Sequence, residues 1–136
     1  MPDRLEALLQ AAKQARLRAH APYSRYEVGA AILDEEGKIY VGCNVENASF
    51  GATICAERAA VTRMVAEGAK RFRSIVIATQ DGGAPCGICL QVLSEFASDP
   101  SQIEVICAAT DGSKRTFKLS ELLPVPFATD ELSRTP

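Results

Sequence analysis

The chain has 136 residues, the length of one domain, and is read as a single unit, 1–136, that buries roughly two-thirds of its unfolded surface. Its 47% hydrophobic and 24% charged residues exclude a disordered chain. Fifteen Lys and Arg against 17 Asp and Glu leave a net charge of −2, so no basic excess is there to hold a phosphate backbone, and nucleic acid is not expected as a partner.

Asp3, Arg4, Glu6 and Lys13 break up any apolar leader at the N-terminus. The apolar runs at 75–78 and 105–109 are strand-sized and too short for a bilayer, so a cytoplasmic location is expected. Leu5, Leu8, Leu9 and Ala12 recur at helical spacing and predict a helix from about residue 3 to His20, stopped by Pro22. Residues 27–33 and 38–43 read as two strands around the turn Asp34-Glu35-Glu36-Gly37. A loop over 44–54 leads to a helix over 55–67, with Gly68 as its stop. Residues 74–79 are continuously apolar, as in a strand covered on both faces. A Gly-rich loop over 80–85 precedes a helix over 86–97, and 103–109 is a second buried strand. The Asp111-Gly112 turn joins it to a short strand at 115–118, and Ser120 is placed to cap a last helical turn. Helices alternating with buried strands predict a three-layer α/β/α sandwich around a mixed five-stranded sheet. Its first two and last two strands pair as antiparallel hairpins.

Five cysteines, an odd number with no leader, point to metal binding or catalysis rather than to a disulfide scaffold. Cys86 and Cys89 form a C-x-x-C where a helix should begin, and Cys55 begins another. A helix N-terminus carries partial positive charge and free N–H groups, which favour the thiolate that binds metal. Zinc suits three sulfur ligands, and stopping at three leaves the fourth position for water, as in catalytic sites. Glu57, two residues past Cys55, is a carboxylate close to the metal but not needed as a ligand, and suits proton transfer. Three thiolates around a dication leave one net negative charge. Arg58 can offset it by donating hydrogen bonds to a sulfur.

C-A-E followed by P-C-x-x-C is the zinc deaminase signature with Cys in place of its first His. Together with Tyr23-Ser24-Arg25-Tyr26-Glu27-Val28-Gly29-Ala30-Ala31 and Gly42-Cys43-Asn44-Val45-Glu46-Asn47-Ala48, the chain resembles the small homotetrameric cytidine deaminases from its first helix to Leu122-Leu123-Pro124. The resemblance implies hydrolytic deamination of cytidine and 2′-deoxycytidine to uridine and deoxyuridine, with loss of ammonia, in pyrimidine salvage. It implies one zinc ion per chain on Cys55, Cys86 and Cys89, with Glu57 as proton shuttle. Asn44 and Glu46 would hold the ribose 3′-hydroxyl, and Tyr26 would lie against the base where the family usually has Phe. Ala56 joins the substrate site, and Phe50 and Phe127 match aromatic positions that reach a neighbouring subunit's site. The family commonly reads C-G-x-C-R-Q, whereas this chain has Leu90 in place of the Arg.

Each reading has a plainer rival. Cys55, Cys86 and Cys89 would then simply fill a core, as Cys43 and Cys107 are expected to, or hold a purely structural zinc. Glu57 alone would read as a first-turn carboxylate and Asn44 and Glu46 as loop residues. Tyr26, Phe50 and Phe127 would read as core aromatics, and His20 as a structural cation at a helix end. For the whole chain the alternatives are a deaminase of another cytosine-bearing small molecule, such as a blasticidin-type nucleoside, an editor of bases in RNA or DNA, and a non-catalytic zinc-stabilised protein.

Overall fold

Alternate residues of a strand point to opposite faces, and in β1 (Gly29–Asp34) both sets are buried. Ala30 and Ile32 join one apolar core, Ala31 and Leu33 a second. The computed structural model describes residues 2–128, in which β1 is joined by β2 (Ile39–Cys43), β3 (Phe72–Ala78), β4 (Glu104–Ala108) and β5 (Lys114–Lys118). The sheet order is β2-β1-β3-β4-β5, and only β3 and β4 run parallel. β3 and β4 alternate in the same way: Ile75, Ile77, Val105 and Cys107 face the first core, Val76, Ala78, Ile106 and Ala108 the second.

One helix, α1 (Pro2–Arg16), covers the second core with Leu8, Leu9 and Ala12. The first core lies under α2 (Ala56–Ala66) and α3 (Gly87–Phe96), with a final turn α4 (Leu119–Leu122) at its edge. This is the expected three-layer sandwich around a mixed five-stranded sheet, both end pairs being antiparallel hairpins. Among the described residues no helix is long and apolar enough to cross a membrane.

The element bounds fall within two residues of the sequence expectation except at the end of α1, and the cap of the last helix also differs. α1 stops at Arg16 rather than near His20, because the next three N–H groups bond three residues back, from Leu17 to Gln14, Arg18 to Ala15 and Ala19 to Arg16. His20 then leaves the helix altogether. Its N–H donates to the Asn44 carbonyl at 2.9 Å and its carbonyl accepts from the Glu46 N–H at 2.8 Å. Ser120 lies inside α4 rather than capping it. The cap is Lys118, whose N–H is taken by the Glu121 carboxylate at 2.6 Å.

The packing of α2 on β2 positions the site. A Cβ at Gly42 would stand 2.5 Å from both the Ala56 carbonyl oxygen and the Ala60 nitrogen, so only glycine allows the helix so close. Gly42 thereby sets the height of the α2 N-terminus above the sheet.

Candidate metal centre and active site

Cys55 and Cys86 are the N-caps of α2 and α3, with extended backbones (φ −75°, ψ 154° and φ −73°, ψ 169°). Cys89 is the third residue of α3. Two helix N-termini therefore bring three thiols together, and the sulfurs all lie within 4.8 Å of one another, Cys86 and Cys89 at 3.6 Å. A tetrahedral zinc with bonds of about 2.3 Å needs sulfurs about 3.8 Å apart, so the donor set fits zinc. All five cysteines are free thiols. Cys107 is buried in the core as expected, whereas Cys43 is only half-buried, its Sγ 3.6 Å from the Arg18 carbonyl.

A hydrogen bond from Cys89, aided by Arg58, holds the Cys55 thiol down to about 5. Cys89 is pushed up by that same bond and by burial. Arg58 Nη2 lies 3.7 Å from Cys55 Sγ and 3.1 Å from the Thr53 carbonyl, while its Nε is buried with no hydrogen-bond partner among the described residues. Leu90 is buried in the core shared by α2 and α3. No cation therefore reaches the thiols from that position, and Arg58 is the guanidinium beside them.

The thiols open into a cavity of about 310 Å³ whose walls include Glu57, Ala56, Asn44, Glu46 and Tyr26. Glu57, in the first turn of α2, is 5% exposed. Burial, opposed by its own N–H, pushes its carboxyl up to about 7, and the neighbouring Cys55 adds to the rise. Asn44 Nδ2 donates to the Tyr26 carbonyl at 2.8 Å and its Oδ1 accepts from the Val28 N–H at 3.0 Å. Glu46 Oε1 accepts from the N–H groups of Tyr23 (2.9 Å) and Ser24 (3.1 Å), and its Oε2 from the Ser24 hydroxyl. Both side chains thus fix the 23–28 segment while facing the cavity.

Phe50 and Phe127 stand apart from these walls. Phe50, in a short 3₁₀ turn Phe50–Ala52, is 78% exposed and packs edge-on against Tyr23 at 6.2 Å. Phe127 is 76% exposed, its backbone N–H and carbonyl both held by the Gln91 amide at 3.0 Å. Sequence reasoning overlooks Ser24, Val28, Thr53, Thr79, Gly83 and Ala84, which also line the cavity. Ser24 and Val28 lie in the motif at 23–31, and Thr79 and Gly83 in a loop rich in turn residues ahead of the C-x-x-C, a signal that marks the loop but not its contact with Tyr26.

Residues 2–107, which contain all three thiols and Glu57, match the family model described as the cytidine and deoxycytidylate deaminase zinc-binding region. The chain belongs to this family. A probable cytidine deaminase from Dictyostelium discoideum is 44% identical over 135 residues, covering 96% of this chain and 88% of that protein. The cytidine deaminase of Sporosarcina psychrophila is 37% identical, with 95% of each chain covered. Among solved structures, cytidine deaminase from Burkholderia pseudomallei superposes with a TM-score of 0.83 at 43% identity, covering 90% of this chain and 98% of that one. The Mycobacterium tuberculosis enzyme gives 0.78 at 37%, covering 92% and 98%. The deaminase family fold and the mixed sheet described above are therefore the same architecture.

Proposed function

We propose that the chain hydrolyses cytidine and 2′-deoxycytidine to uridine and deoxyuridine, releasing ammonia, with zinc held by Cys55, Cys86 and Cys89. The observation that carries the reading is the meeting of three thiols and a buried carboxyl in one nucleoside-sized cavity. Relatives and solved structures named cytidine deaminase at 37–44% identity support it.

Zinc, when bound, supplies a Lewis acid that makes water acidic enough to be a nucleophile near neutral pH. With zinc in place, Glu57 would carry one proton of the attacking water to N3 as the water oxygen bonds to C4. It would then carry the second, from the C4 hydroxyl, to the amino group, which leaves as ammonia when the C4–N bond breaks. A carboxyl held at about 7 suits both accepting and donating in that range. Arg58 and the two helix ends offset the charge of three thiolates. Ribose recognition falls to Asn44 and Glu46, which keep a second amide N–H and a further carboxylate lone pair for sugar hydroxyls. Tyr26 and Ala56 wall the base side of the cavity.

Phe50 and Phe127 are read as contributions to a neighbouring subunit's site in a homotetramer, a reading supported by their exposure on the single chain. A cytoplasmic location suits three ligands that must stay reduced. The reading takes 1–136 as one domain, supported by the single sheet that both cores share.

The test is incubation of the zinc-loaded protein with cytidine and with 3′-deoxycytidine, followed by ultraviolet absorbance and ammonia release. One ammonia per uridine, with weaker use of the 3′-deoxy compound, is expected. Equal use of both substrates contradicts the assignment of Asn44 and Glu46, and turnover of neither contradicts the reading as a nucleoside deaminase.

A further inference from the structure

The loop between β3 and α3 carries a carboxylate that the zinc chemistry does not use. Asp81 Oδ1 accepts the Tyr26 hydroxyl hydrogen bond at 2.6 Å, within the short range of charge-assisted O–H···O contacts. The same oxygen accepts the Gly83 N–H at 3.1 Å and faces the Thr79 hydroxyl at 3.4 Å. Thr79 Oγ1 in turn accepts the N–H groups of Gly82 (2.7 Å) and Gly83 (3.1 Å). The loop is also tied to the sheet. Thr79 N–H donates to the Ala108 carbonyl at 3.0 Å, Asp81 bridges to Ala109, and Arg115 Nη2 on β5 donates to the Gly82 carbonyl at 2.7 Å. Asp81 is thus held from two sides before it meets Tyr26.

Gly83 completes the set. A Cβ there would stand 2.7 Å from the Tyr26 hydroxyl oxygen and 3.3 Å from Asp81 Oδ1, so a side chain at residue 83 would push the Tyr26 hydroxyl out of its place against Asp81. The electrostatics agree. Burial and then Asp81 raise the Tyr26 phenol, which therefore stays a donor. The Tyr26 hydrogen bond holds the Asp81 carboxyl below the usual carboxylate range, so it stays an ionised acceptor.

We infer that Asp81 is a positioning residue: by holding the Tyr26 hydroxyl, with Gly83 providing clearance, it fixes the Tyr26 ring as a wall of the substrate cavity. The inference rests on the nucleoside reading of that cavity. A wall ordered in advance costs nothing when substrate binds, so its loss falls on KM more than on kcat.

The experiment is a double-mutant cycle on zinc-loaded protein with cytidine as substrate. Asp81→Ala is expected to raise KM roughly three- to tenfold with kcat changed less than about twofold, the loss of one solvent-accessible charge-assisted hydrogen bond. Asp81→Asn, which keeps an acceptor oxygen, restores most of the loss. In the Tyr26→Phe background Asp81→Ala leaves KM unchanged. Gly83→Ala raises KM in the parent and does so less in Tyr26→Phe, because the next Tyr26 atom, Cζ, lies 3.9 Å from the added carbon. An unaltered KM in Asp81→Ala overturns the inference. So does an equal rise in both backgrounds, since Asp81 would then act on the loop and not on the ring. A second readout needs no turnover. In an ultraviolet difference titration, with Tyr26 identified by its loss in Tyr26→Phe, Asp81→Ala moves the Tyr26 ionisation to lower pH, and an unmoved ionisation overturns the pairing. If the zinc-loaded parent does not turn over cytidine, the nucleoside reading fails on its own and this titration decides the pairing.

Discussion

A carboxylate removed from water is costly unless donors replace the lost hydration, and Asp34 and Glu57 meet that cost in opposite ways. Asp34, 4% exposed at the end of β1, accepts the N–H groups of Glu36 (2.8 Å) and Lys38 (2.9 Å) and the Tyr40 hydroxyl (3.0 Å). Burial alone would raise its carboxyl, but these donors outweigh it and hold the group below the ordinary carboxylate range. Among the described residues Glu57 has no such set of donors, and burial prevails. A carboxyl depressed in the folded state stabilises it above the unfolded carboxylate range, and that contribution disappears as pH falls through the folded value. Asp34→Asn is therefore expected to cost on the order of 1–3 kcal/mol at pH 7 in urea unfolding. Its penalty should shrink between pH 4 and pH 2, as the parent loses what the variant never had. A penalty independent of pH would show that the charge of Asp34 does not contribute. The thiols and Glu57 are legible in the sequence because their spacing is local and the helix starts are marked by it. Asp81 and Thr79 are not. Their significance lies in hydrogen bonds to Tyr26 and to the loop backbone, and Tyr26 is 55 positions from Asp81 along the chain.

At the scale of elements, the site depends on how low α2 sits on β2. Gly42→Ala forces a methyl against the Ala56 carbonyl and the Ala60 nitrogen, both backbone atoms that cannot rotate away. Overpacking of this kind costs typically about 1–3 kcal/mol. Lifting α2 also moves Cys55 and Glu57, which ride on its first turn. The variant is expected to lose zinc affinity along with stability. Lost stability with unchanged zinc binding would show that the helix and the metal ligands move independently. The strands and the two site helices are readable from apolar runs and from Gly68, whose φ of +103° ends α2. The end of α1 is not readable. Its apolar spacing continues as far as the described helix, but the backbone of His20 is captured by Asn44 and Glu46, a pairing across 24 and 26 positions that no local pattern signals. Ser120 fails as a cap for a similar reason: Glu121 reaches the Lys118 N–H one turn early, and the Ser120 N–H is spent on the Pro100 carbonyl.

At the scale of the whole molecule, the single chain leaves Phe50 and Phe127 in water, along with Val125 (87% exposed) and Ile88 (63%). Exposed large apolar side chains such as these are available to an interface between copies of the chain. Light scattering behind size exclusion is expected to give four chains per particle, and Phe50→Ala to raise KM for cytidine while zinc content stays near one per chain. A monomer with full activity would contradict the reading of shared sites. The layered architecture was within reach of the sequence because α/β alternation and buried strands are long-wavelength patterns. Contacts between copies leave no such pattern in one chain's hydropathy. The central claim is that Glu57 moves the proton in a site where Cys55, Cys86 and Cys89 hold zinc. The measurement that tests it most directly is cytidine turnover by the parent and by Glu57→Gln, with zinc determined on the same samples. About one zinc per chain is expected in both, with turnover lower by about 10²- to 10⁴-fold in the variant. Turnover within a few-fold of the parent, with zinc in place, would contradict it.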